Sequence, residues 1–91
     1  MPDTSRKTWD VRVTIEEEGD QTRAEAVLGL DNKAEIRGQG MSRRNPGDES
    51  VPRIGDELAT ARALSDLAHQ LLGTAAHEIE SHTHVPASLS L

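Results

Sequence analysis

Trp9, Val11, Val13 and Ile15 alternate with Asp10, Arg12 and Thr14, and strict alternation predicts a strand with one buried and one solvated face. Residues 17 to 20, Glu-Glu-Gly-Asp, read as a turn, with Gly19 able to take the positive φ of a tight hairpin. A second alternation sets Ala24, Ala26, Leu28 and Leu30 inward and Arg23, Glu25 and Val27 outward. With a two-residue turn, positions summing to 37 or 39 oppose each other, so the two apolar faces coincide. Asp31, Asn32 and Lys33 form a three-residue loop. Ala34, Ile36, Gly38 and Gly40 then continue the inward face opposite Leu30, Leu28 and Ala26. The pattern predicts an antiparallel meander with strands near 8–16, 21–30 and 33–40.

Residues 41–53 hold Pro46, Gly47 and Pro52 without periodicity and read as a loop. Beyond it Ile54, Leu58, Ala61, Leu64, Ala68, Leu71, Leu72, Ala75 and Ile79 recur at helical spacing, with Leu67 widening the stripe. Asp56 and Glu57 sit near the expected start, where the helix dipole favours anions. A helix over 54–80 spans roughly 40 Å at ~1.5 Å per residue, whereas a seven-residue strand covers about 23 Å. Either the helix breaks at Gly73 and Thr74, or its last turns pack on another subunit. The fold class is therefore α+β, a three-stranded meander followed by a long C-terminal helix. The expected single domain spans 8–81, between a flexible N-terminus (1–7) and a flexible tail (82–91). The expected core comprises Trp9, Val11, Val13, Ala24, Ala26, Leu28 and Ile36 from the strands, with Leu58, Ala61, Leu64, Ala68 and Leu71 from the helix.

Composition sharpens this picture. The chain has 91 residues, 34% of them hydrophobic, and Trp9 is its only aromatic. A domain of this size buries only about 60–65% of its unfolded surface, and a core of Ala, Val, Leu and Ile is thin against about 1–2 kcal/mol of backbone entropy per ordered residue. Association with a second copy follows as an expectation. There is no cysteine, which fits a reducing compartment, and the N-terminal residues lack the apolar run of a signal peptide. No stretch approaches a membrane span, so a cytoplasmic protein is expected.

The formal net charge is -6, unevenly distributed. Residues 54–91 carry Arg62 against five acids, while residues 37–53 carry Arg37, Arg43, Arg44 and Arg53 against Asp48 and Glu49. The second segment is a local basic island, and a local field acts where net charge does not. Its four arginines are candidate nucleic-acid contacts, since guanidinium forks bind phosphate; the alternative is a solvated loop balanced by its own acids. No aromatic platform for stacking bases accompanies them. Gly38 and Gly40 lack a phosphate-loop pattern and read as a place where helix and sheet approach closely. His69 and His77 are two turns apart, and His82 and His84 lie in the expected tail, so no metal site is expected. No nucleophile-elbow pattern surrounds Ser42, Ser50, Ser65 or Ser81, and neither catalytic residues, cofactor nor small-molecule substrate is expected.

The segments TRAEAVLGL (22–30) and RGQGMSRRNPGDESVPRIGDELATARALSDLA (37–68), with Trp9-Asp10-Val11, resemble the small actinobacterial proteins of domain-of-unknown-function family 1876. The resemblance covers about residues 7–80. It implies a fold similar to double-stranded-RNA-binding domains, a kinship in shape with ribosome hibernation promoting factors, and a dimeric, stress- or dormancy-associated role. Gly38, Gly40, Arg43, Arg44, Asn45, Pro46, Asp48 and residues 54–58 fit the family signature. Double-stranded-RNA domains carry a basic cluster where this chain has Asp56 and Glu57.

Two functions remain open at this level. One is a stress-linked accessory protein that contacts ribosome or RNA as a homodimer through Arg37, Arg43, Arg44 and Arg53. The other is a protein-protein interaction module that binds no nucleic acid. In both, Val27 on the outer sheet face and Leu72, Ala75, Ala76 and Ile79 on the helix overhang are the expected dimer contacts.

Overall fold

The computed structural model describes residues 3–31 and 34–91. Three antiparallel strands, β1 (Val11–Glu18), β2 (Gln21–Leu28) and β3 (Ile36–Arg43), are followed by one helix, α1 (Pro52–Thr83). The sheet order is β1-β2-β3. The expected α+β meander with a C-terminal helix is the observed architecture. Asn32 and Lys33 of the expected loop lie outside the described residues.

Gly19 supplies the left-handed φ of 60° in the two-residue turn between β1 and β2. The register follows: Val11 opposes Leu28 and Ile15 opposes Ala24, one of the two sums that the alternation allowed. In the second pairing Ala26 opposes Gly38 and Leu28 opposes Ile36, as the parity required. β3 continues to Arg43, so Met41, Ser42 and Arg43 belong to a strand rather than to the loop.

α1 opens with Pro52 after Val51, without a side-chain cap. Pro suits this position because its missing N–H would have no partner there. The helix runs without a break through Gly73 and ends beyond Thr83, where His84 takes a left-handed conformation (φ 58°) and donates its N–H to Glu80 O at 2.7 Å. At ~1.5 Å per residue the 32-residue helix is roughly 48 Å long, so it overhangs the sheet. Starting at Pro52 also moves Asp56 and Glu57 out of the first turn, which contains no acid; the expected dipole role does not hold.

The core is small and its helical side differs from expectation. Ala24, Ala26 and Leu28 of β2 are buried against Ala59, Ala63 and Leu67, with Val13, Leu30, Ile36 and Leu71 packed around them. Ala59, Ala63, Leu67 and Leu71 recur every four residues. The expected Leu58 and Leu64 are exposed (45% and 42%), Ala61 is exposed, and Ala68 and Leu71 are half-buried. The reason lies in β3. A Cβ at Gly38 would collide with Ala63 O and Leu67 N and lie 2.7 Å from Leu67 Cα, and one at Gly40 would collide with Ala59 O and Ala63 N. The glycines form a slot that admits helix backbone only where the facing residues are also small, so the Ala59–Ala63 side enters it. The close approach was correctly anticipated; the alanines that fill it were not.

The helix lies over β3 and β2 and barely reaches β1. Trp9 (51%) and Val11 (43%), expected in the core, are therefore exposed, as is Ile15 (41%) on the same alternating face.

Candidate functional site

At the end of the sheet where α1 begins, the inward face turns polar: Thr22 and Ser42 are both buried. Ser42 Oγ donates to Gly55 O at 2.9 Å, tying β3 to the opening turn of the helix. Beside them lies a cavity of about 500 Å³ bounded by the β1–β2 turn, the β3–α1 loop and the start of α1. Its charged lining is Glu17, Asp20, Arg43, Arg44, Asp48 and Glu49.

Two of the four candidate arginines meet here. Arg44 is a clamp: its guanidinium donates to Asp20 Oδ1 at 2.8 Å and to Asp48 O at 2.7 Å, and its backbone N–H donates to Asp20 O at 2.9 Å. Arg43 ends β3 opposite Gln21 and is exposed. Arg37 lies near the other end of β3, ion-paired to Glu25 at 2.9 Å and Glu35 at 3.0 Å. Arg53 is exposed on α1 with Glu57 at 3.6 Å. The basic island of the sequence is thus spread out in space, and acids accompany Arg37, Arg44 and Arg53.

Opposite these bases sits a carboxyl pair that the sequence did not announce. Glu17 on β1 has its pKa raised by a hydrogen bond to Asp56 and by that carboxylate's charge. Asp56 Oδ1 is buried without a hydrogen-bond partner among the described residues. A proton on Glu17 lets the two carboxyls share a hydrogen bond. Among the described residues no three His, Asp or Glu side chains are grouped to hold a metal ion; His69 Nδ1 lies 2.8 Å from Ser65 O.

The expected dimer contacts fall on two surfaces. Val27 is half-buried on the outer sheet face between Arg12 and Arg37. Leu72, Ala75 and Ala76 are half-buried, and Ile79 is exposed (42%), along the overhang. The larger apolar surface was missed. Val11 and Ile15 point to the same side of the sheet as α1 yet lie beyond its cover, with Val13 half-buried between them, and Leu64 is exposed on the helix. The helix side carrying Arg62 and Asp66 reaches the edge of β3; at 3.6 residues per turn Leu64 lies roughly opposite Arg62, facing the β1 side. These residues all stood in the apolar pattern of the sequence, but which of them the helix covers depends on the glycine slot.

A three-stranded meander covered by one C-terminal helix defines a small α+β protein, and the comparisons place it more closely. The Rv2632c-like family profile matches residues 7–88, and the chain belongs to that family. It is 48% identical over 82 residues to the uncharacterized protein Rv2632c of Mycobacterium tuberculosis, covering 90% of this chain and 87% of that protein. With the uncharacterized protein Mb1767 of Mycobacterium bovis it shares 49% identity over 81 residues, covering 89% and 85%. The crystal structure of Rv2632c superposes with a TM-score of 0.84 at 46% identity, spanning 93% of this chain and all of that one. Among the described residues no helix is long and apolar enough to cross a membrane.

Proposed function

We propose that this chain is a non-enzymatic interaction module that works as a homodimer. The observation that carries this reading is the uncovered apolar side of β1: Val11 and Ile15, with Trp9 just before the strand and Leu64 from α1, are each more than 40% exposed. Contiguous apolar surface on a small soluble domain marks an interaction site, and a domain with so few buried side chains gains most from covering it. Sedimentation equilibrium at micromolar concentration tests the reading. A dimer is expected, and a monomer refutes it.

The second reading is the ribosome or RNA contact implied by the resemblance to domain-of-unknown-function family 1876 and its double-stranded-RNA-domain shape, with the associated stress or dormancy role. Arg43 favours it, being exposed beside a cavity and in no ion pair among the described residues. Arg37, Arg44 and Arg53 favour it less, because their charge is already matched. Co-sedimentation with ribosomes across a salt series tests it, since phosphate contacts weaken as salt rises.

A further inference from the structure

We infer that β1 is the edge on which a second copy of this chain docks, antiparallel, with a twofold axis at Thr14. This rests on the self-association proposed above and supplies its geometry. The two edges of the sheet are treated differently. On β3, Gln39 N–H donates to Asp66 Oδ2 at 2.8 Å and Arg62 Nη1 donates to Met41 O at 2.8 Å, so helix side chains occupy the groups that an added strand would need. Among the described residues nothing closes β1 in this way. β1 is eight residues long, pairs with β2 residue for residue without a bulge and contains no Pro, and its acids are gathered at Glu16, Glu17 and Glu18, leaving Val11 to Ile15 with Arg12 as the one charge.

The two-residue turn makes Glu18 and Gln21 the closing hydrogen-bonded pair. Val11, Val13, Ile15 and Glu17 therefore direct their backbone groups outward. The same alternation carried across the sheet puts Gln39 and Met41 on β3's outer edge, where they are found. Pairing two β1 edges must join these odd positions, which limits the register to even sums. Twofold pairing about Arg12 sets Arg12 against itself. Pairing about Val13 opposes Asp10 to Glu16, and pairing about Ile15 opposes Val13 to Glu17. Pairing about Thr14 sets Val13 against Ile15 of the second copy on the apolar side and Arg12 against Glu16 of the second copy on the other, each twice, and moves the mismatch with Glu17 out to Val11 at the end of the strand. Arg12 faces Val27 within its own sheet, so this pairing gives it an acid as its second cross-strand neighbour. The result is a continuous six-stranded sheet with both helices on one face and the half-buried Val13 and exposed Ile15 of the two copies adjoining on that face.

Sedimentation equilibrium of the full chain with Arg12→Glu, Glu16→Arg and the double exchange tests the register. Each single reversal turns two attractive contacts repulsive and is expected to raise the dimer dissociation constant about tenfold or more. The double exchange is expected to return it to within about threefold of the original, as a coupled pair requires. A double variant as weak as the single ones overturns the register. Glu16 also faces Arg23 on its own sheet, so amide hydrogen exchange of the unaltered protein provides a second measurement. The Val13 and Ile15 amides are expected to be protected in the dimer and to lose protection on dilution. A dimer in which both exchange freely overturns the β1 edge while self-association stands, and a monomer removes both.

Discussion

Gly38→Ala adds one methyl group where there is backbone on the other side. Its Cβ would stand 2.7 Å from Leu67 Cα, with Leu67 N and Ala63 O nearer still. Carbon atoms settle at about 3.5–4.0 Å, so helix and sheet must separate by roughly 1 Å, and no side-chain rotation can absorb the clash. The same shift opens the contact of Ala26 with Ala59 and Ala63, both fully buried. Overpacking costs about 1–3 kcal/mol. Against this, a Gly→Ala change at an ordinary φ recovers about 0.4–1 kcal/mol through the unfolded chain, and Gly38 has no positive φ. The net expectation is a loss of about 1–2 kcal/mol, from a total stability of roughly 5–14 kcal/mol for a domain of this length. The melting temperature should fall by about 5–15 °C. The assay is urea unfolding at fixed protein concentration, with Gly73→Ala as the opposite control. Gly73 lies inside α1 with nothing within 4 Å of an added Cβ, so that change should stabilise by about 1 kcal/mol. If both variants stabilise, the glycine slot does not set the position of the helix.

The Glu17–Asp56 pair predicts a pH dependence. A carboxyl whose pKa is raised in the folded state holds its proton more tightly than in the unfolded chain, so its contribution is complete at low pH and lost as pH rises through the raised value. Glu17→Gln should flatten that part of the stability profile and raise the melting temperature at neutral pH; identical profiles for the two proteins would refute the pairing. Arg44→Ala removes the bonds to Asp20 and Asp48 and should cost about 1 kcal/mol, with faster amide exchange in residues 44–51 measured by mass spectrometry. Arg43→Ala should leave the melting temperature unchanged within about 0.5 kcal/mol equivalent. If ribosome co-sedimentation occurs at all, the same variant should lower it, and equal pelleting of both proteins removes Arg43 as the contact.

Local chemistry determined the strands and their pairing. The alternation through Val11, Val13 and Ile15 and through Ala24, Ala26 and Leu28, with Gly19 at the turn, left the register no choice but parity, because a one-residue slip inverts every side chain. The helix and its overhang were equally legible from periodicity. What tertiary structure alone decided is the rotation of that helix. Apolar residues line more than one side of α1, and nothing local ranks Leu58 and Leu64 above Ala59 and Ala63. Gly38 and Gly40 do, because only small residues let backbone meet backbone there, and burial in the slot outweighs the larger area of the leucines. That choice draws α1 toward β3, where Asp66 and Arg62 close one edge, and away from β1. It also brings Asp56 to Glu17, while the extended β3 separates Arg37 from Arg43. The exposed edge of β1 is thus a consequence of two missing side chains on the strand two places away.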